Sequence, residues 1–231
     1  MTLTARQRLE LAALLAIGIT PFYLNGLYNE TLAKEHRAWF WVVEVFTWIV
    51  MPAMLLIVGR LRGLFTFTEL GLSRKVCRRD LPWAFLALLV IIPFLAIRLD
   101  MVVYQWAHSS LPSGWPHPTF HYSDVVPLPG PDTGLWRLLV LLHLCMTAGV
   151  VEEILYRAMF DRLFPRGWAG GIAFVIISTL VFAGAHWEGG LPNVTEAAIL
   201  GVFYATIYRL TGNLWPLMLG HTIIDWYWFS S

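Results

Sequence analysis

Apolar residues run along this chain in long blocks separated by short polar or proline-rich segments. A helix needs about 20 apolar residues to cross a bilayer core. On that scale the blocks predict about seven spans, over residues 9–28, 39–58, 81–105, 135–160, 169–187, 194–211 and 214–230. Gly18, Pro21 and Gly26 interrupt the first block, and the last two are short enough to be partly buried rather than fully spanning. Tryptophans gather near the block ends (Trp39, Trp41, Trp83, Trp106, Trp136, Trp168, Trp187, Trp226, Trp228), where aromatic belts meet the headgroups. The pattern predicts an all-α, polytopic transmembrane helical bundle, a single integral membrane domain over 1–231.

Composition agrees. The 231 residues are 58% hydrophobic and 13% charged, against roughly 45–50% apolar and 25% charged in soluble domains. The net charge of +1 and the lack of a basic run give no reason to expect a nucleic-acid partner. Cys77 falls in a basic loop and Cys145 in an apolar helix, which argues against a disulfide framework. The first block follows Arg6 and Arg8 like a signal peptide, but no small-x-small cleavage site precedes Pro21, so it reads as an anchor. Basic residues predict the orientation. With the N-terminus cytoplasmic, inner segments hold Arg6, Arg8, Arg60, Arg62, Arg74, Lys75, Arg78, Arg79, Arg157, Arg162, Arg166 and Arg209, whereas outer loops hold Lys34 and Arg37.

Three polar groups break the last four blocks. Glu152 and Glu153 are followed by Arg157, four residues after Glu153 and on its helical face. Glu152 is turned about 100° away and left free to face something else. Phe182 and His186 are four apart, as are His221 and Asp225. Facing lipid, these side chains would be costly; they should converge on a polar intramembrane cavity formed by the last four spans. A carboxylate there can activate water, one histidine can share the deprotonation, and a second can donate to a developing oxyanion. The sequence has no GxSxG, and Ser178 and Cys145 have no evident paired base, which disfavours acyl-enzyme chemistry. Other polar residues take blander readings: His143 as a hydrogen-bonded packing residue, Glu44 as a partner for an interior arginine, and Arg98–Asp100 and Arg137–Asp132 as interfacial anchors. His108, His117 and His121 lie in a stiff proline-rich loop over about 106–134.

EExxxR, FxxxH and HxxxD, in that order on successive late apolar segments, resemble the CPBP intramembrane proteases, which include the type II CAAX prenyl endopeptidases and the bacterial Abi group. The basic loop with Glu69-Leu70-Gly71-Leu72, just before a span, also looks like that family, and the resemblance covers a core of about 60–229. It implies metal-free, glutamate-dependent hydrolysis of a peptide bond in a membrane-associated protein or peptide, lipidated or C-terminally anchored. It implies no cofactor, and location in a bacterial inner membrane. Carried onto this chain, Glu152 and His186 would activate the water, Glu153 and Arg157 would brace the site, and His221 and Asp225 would sit at the oxyanion side. An ionised Asp225 cannot donate as an asparagine would, so it is either protonated or orients His221. The topology also sets Glu152 and His186 on the order of 10 Å apart in depth. Two alternatives remain: zinc held by Glu152, His186 and His221, and a non-enzymatic carrier or immunity protein using the buried groups as a proton relay.

Overall fold

The computed structural model describes residues 3–72 and 134–230, with isolated helical positions at 82, 102, 105, 106 and 109. Most of the expected third span, the basic segment after Leu72 and the three loop histidines lie outside the described residues. Helix α1 is Ala5–Glu35. Helix α2 (Arg37–Val45) continues through a π-helical turn, Phe46–Val50, into α3 (Met51–Leu61). Helix α4 (Gly134–Glu152) passes into a π-helical segment, Glu153–Met159. Helix α5 (Trp168–Gly184), a 3₁₀ turn (Trp187–Gly189), α6 (Gly190–Thr211) and α7 (Trp215–Ser230) complete the described chain. No strand occurs among the described residues. Ala5–Leu27, Ala38–Leu61 and Gly134–Met159 are long and apolar enough to cross a bilayer, and Trp168–Gly184 is a shorter apolar helix. The chain is an integral membrane protein, all-helical among the described residues.

The interrupted first block is one continuous helix, with Pro21 inside it. Thr4 starts it with a capping box: its Oγ accepts the Gln7 N–H (3.2 Å) while its own N–H donates to Gln7 Oε1 (3.0 Å). Proline is tolerated in membrane helices; Pro21 frees the Ile17 carbonyl, and one residue earlier the Thr20 hydroxyl donates to the Ala16 carbonyl at 2.7 Å. The two glycines are contact points rather than breaks. A Cβ on Gly18 would lie 2.5 Å from Leu55, and one on Gly26 2.5 Å from Glu188. The π turn before α3 has a local cause. Pro52 has no N–H to give, and the preceding Met51 N–H reaches back five residues to the Phe46 carbonyl.

Two close helix pairs, α4 with α7 and α5 with α6, carry the second half of the chain, and α1 crosses the π-helical segment and α3. Polar ties fasten one end of the bundle. Asp161 pairs with Arg209 and with Arg166 (2.8 Å), Arg162 Nε donates to the Leu64 carbonyl (3.0 Å), and Trp215 Nε1 donates to the Leu72 carbonyl (3.1 Å). Glu69 accepts the Thr66 N–H (2.9 Å) and faces Arg162 (3.6 Å). Partial burial pushes its carboxyl up, while hydrogen bonds, those from Thr66 among them, and the Arg162 charge pull it down, and the group lies below its ordinary value.

Gly149 lets α4 and α7 meet. A Cβ there would stand 2.5 Å from Thr222 Oγ1 and 2.8 Å from the Thr222 backbone nitrogen, the close approach that small residues permit between membrane helices. Gly149→Leu is therefore expected to part these helices and destabilise the protein by about 1–3 kcal/mol. Thermal unfolding in detergent checks this; an unchanged midpoint would contradict the close contact.

Candidate active site

The end of α4 is enclosed on all sides. Glu152 is buried, Glu153 and Arg157 are both 0% exposed, and every residue of Glu153–Met159 is buried. Charges so placed are costly unless paired. Glu153 Oε2 lies 3.4 Å from Arg157 Nε, the i,i+4 pair that the spacing predicts. The guanidinium carbon also stands 4.4 Å above the centre of the Phe182 ring, where the ring's quadrupole attracts a cation. Local geometry is unusual here, because the helix widens to a π turn where the pair forms. Such turns inside α-helices are frequent at functional sites.

The other oxygen of Glu153 holds His221. Oε1 is 2.9 Å from His221 Nδ1, and a carboxylate paired with arginine can only accept, so Nδ1 carries the hydrogen. His221 Nε2 then faces Glu152 Oε2 at 3.5 Å and Asp225 Oδ1 at 3.7 Å, beyond hydrogen-bonding length. The imidazole is fixed edge-to-face between Phe182 (5.9 Å, 80°) and Tyr204 (6.1 Å, 70°). The orienting bond that the i+4 spacing suggested for Asp225 is thus made by Glu153, from a different helix.

His186 lies just beyond the C-terminus of α5. Its Nδ1 is 2.8 Å from the Phe182 carbonyl. A carbonyl only accepts, so Nδ1 carries the hydrogen and the Nε2 lone pair is the basic position. The ring packs on Phe182 (4.7 Å between centroids). Phe182 thereby touches His186, His221 and Arg157 at once. The depth mismatch narrows for a visible reason. Ser178 Oγ donates to the Tyr156 carbonyl at 2.6 Å, so the middle of α5 is level with the π-helical segment. Measured from that level, His186 is eight residues outward and Glu152 four, a difference of roughly 6 Å at 1.5 Å per residue. The fold therefore brings Glu152, Glu153, Arg157, His221 and Asp225 into one cluster, with His186 beside it across the Phe182 ring. No direct contact joins His186 to Glu152 among the described residues.

Several partners have no sequence signature. Tyr23 of α1 donates its hydroxyl to the Val181 carbonyl (2.6 Å), and Trp187 Nε1 donates to the Tyr23 carbonyl (2.9 Å), which closes α1 over the outer end of α5. Glu44 meets His143 rather than an arginine, at 3.7 Å, with Trp41 against the imidazole (5.8 Å). An apolar groove of about 340 Å³ runs between α1 and the inner bundle, lined by residues such as Leu15, Ile19, Phe160 and Val181. It contains none of the clustered carboxylates or histidines, so it is distinct from the polar cavity that the sequence leads one to expect.

A membrane helix bundle that gathers buried carboxylates, an arginine and a histidine around one wide turn is equipped for polar chemistry inside the bilayer. Residues 134–227, from the start of α4 into α7, match the family model Type II CAAX prenyl endopeptidase Rce1-like. Over this segment the chain is similar to the CAAX protease family, which its motifs also resemble. No curated protein and no solved structure matches the chain.

Proposed function

We propose that the chain is a glutamate-dependent intramembrane endopeptidase in which Glu152 is the general base. The observation that carries this reading is the division of labour around one imidazole. Glu153 holds His221 at Nδ1 (2.9 Å), while Glu152, with no hydrogen bond to Oε2, faces Nε2 (3.5 Å). One carboxylate is committed to structure and the other is available. Glu152 takes a proton from a water, with the His186 Nε2 lone pair as the second acceptor, and the resulting hydroxide adds to the scissile carbonyl. In this reading His221 also carries a hydrogen on Nε2 and donates it to the oxyanion. The proton held by Glu152 passes to the amide nitrogen as the C–N bond breaks, which balances the reaction without a covalent enzyme intermediate.

The substrate in this reading is a membrane-associated peptide or protein, lipidated or C-terminally anchored. The N-terminus is cytoplasmic and the host membrane a bacterial inner membrane, as the basic residues and the family resemblance favour. Six positions form the site: Glu152, Glu153, Arg157, His186, His221 and Asp225. No cofactor is required. Zinc bound by Glu152, His186 and His221 is the second reading, and chelation separates the two. The test uses purified protein in liposomes with a prenylated CAAX peptide. Cleavage is expected to persist after exhaustive chelation. Loss of cleavage on chelation, restored by zinc, would transfer the mechanism to the metal. No cleavage of lipidated or anchored peptides would favour a non-enzymatic protein.

A further inference from the structure

Asp225 leaves a chemical shortfall on the oxyanion side of the cluster. Where Asp225 is ionised it accepts hydrogen bonds and repels a developing oxyanion, and His221 Nε2 is then the sole donor from the three motifs. A second donor has to come from outside them.

Two buried phenols in contact with the cluster have no hydrogen-bond partner among the described residues, Tyr156 and Tyr204. Buried hydroxyls are normally satisfied, and an orphan one invites a functional account. Their surroundings differ. The Tyr156 ring packs edge-to-face on Phe182 (5.2 Å) and Phe22 (6.4 Å). Tyr204 projects from α6, is 1% exposed, and has its ring edge-to-face with His221 at 6.1 Å. It therefore stands directly against the imidazole that donates to the oxyanion. Unlike Asp225, a phenol is a neutral donor at any physiological pH.

We propose that Tyr204 is a further catalytic residue, whose hydroxyl donates the second hydrogen bond to the oxyanion and supplies what Asp225 cannot. This rests on the endopeptidase reading above. The phenol keeps its proton throughout. Its bond forms as charge develops on the carbonyl oxygen, so it contributes to the transition state more than to substrate binding.

The experiment is a double-mutant cycle on the full-length protein in liposomes, with a prenylated CAAX peptide as probe. Tyr204→Phe is expected to lower kcat about 10²-fold or more, with KM within about twofold. Its unfolding midpoint should not fall, because the hydroxyl removed has no protein partner to lose. Asp225→Asn introduces an amide donor at the deficient position, so adding Tyr204→Phe in that background should cost about tenfold or less. That non-additivity is the signature of two donors serving one oxyanion. A Tyr204→Phe enzyme with wild-type kcat overturns the proposal. Equal losses in both backgrounds accompanied by a lowered midpoint overturn it too, by making Tyr204 structural. Glu152→Ala run alongside separates the two levels. Cleavage surviving in that variant removes the endopeptidase mechanism itself, whereas an inactive Glu152→Ala beside a fully active Tyr204→Phe removes the tyrosine alone.

Discussion

Glu152→Ala is expected to reduce kcat by about 10²–10⁴-fold, the range for a lost general base, while leaving a folded, membrane-inserted protein. Both halves follow from the geometry. The Glu152 carboxylate approaches His221 Nε2 at 3.5 Å without a hydrogen bond to Oε2, so its removal orphans no close partner. The bond between Glu153 and His221 and the ion pair between Glu153 and Arg157 both survive. His186→Ala should act in the same direction through loss of the Nε2 base. Initial rates on a lipidated peptide, with the unfolding midpoint in detergent as control, read both effects. Loss of activity explained by unfolding would move Glu152 into the scaffold.

Arg157→Ala is expected to do the opposite, collapsing stability first. It leaves Glu153 a buried, unpaired carboxylate at 0% exposure and takes a cation from the face of Phe182. Breaking one side of a buried ion pair costs about 3–5 kcal/mol. Glu153→Ala should cost a comparable amount, because it strands Arg157 and also releases His221 Nδ1. Replacing both partners by Glu153→Gln with Arg157→Met should restore part of the folded yield, since no lone charge then stays buried. The readouts are the folded yield and the thermal midpoint in detergent. Single variants with wild-type midpoints would contradict the bracing role.

How much of this was legible beforehand depends on which forces set each feature. Long apolar blocks fix helix ends closely, as Gly134–Met159 against an expected 135–160 illustrates, because crossing a bilayer demands length and hydrophobicity together. Pro21 misled for a physical reason. In water a proline argues for a break, but in a membrane helix the freed carbonyl can be tolerated, and glycines at 18 and 26 serve close approach. Spacing of four residues identified the pair of Glu153 with Arg157, which is local. It could not identify the partner of His221 Nδ1, because Glu153 arrives from another helix, 68 positions away in sequence. The pairing of Glu44 with His143 and the ring of Tyr204 beside His221 are likewise tertiary, and no periodicity announces them. The π turn over Glu153–Met159 also lacks a sequence cue, since no proline or glycine lies within it.

The central claim is tested most directly by comparing protein and peptide termini in membranes carrying the wild-type chain with those carrying Glu152→Ala at equal abundance. Each membrane is sampled with and without chelator. The account predicts new termini in the wild-type membranes that vanish in the variant and persist under chelation, on substrates that are lipidated or anchored near the cut. Identical termini in the two membranes, or wild-type termini that disappear with chelator, would contradict it.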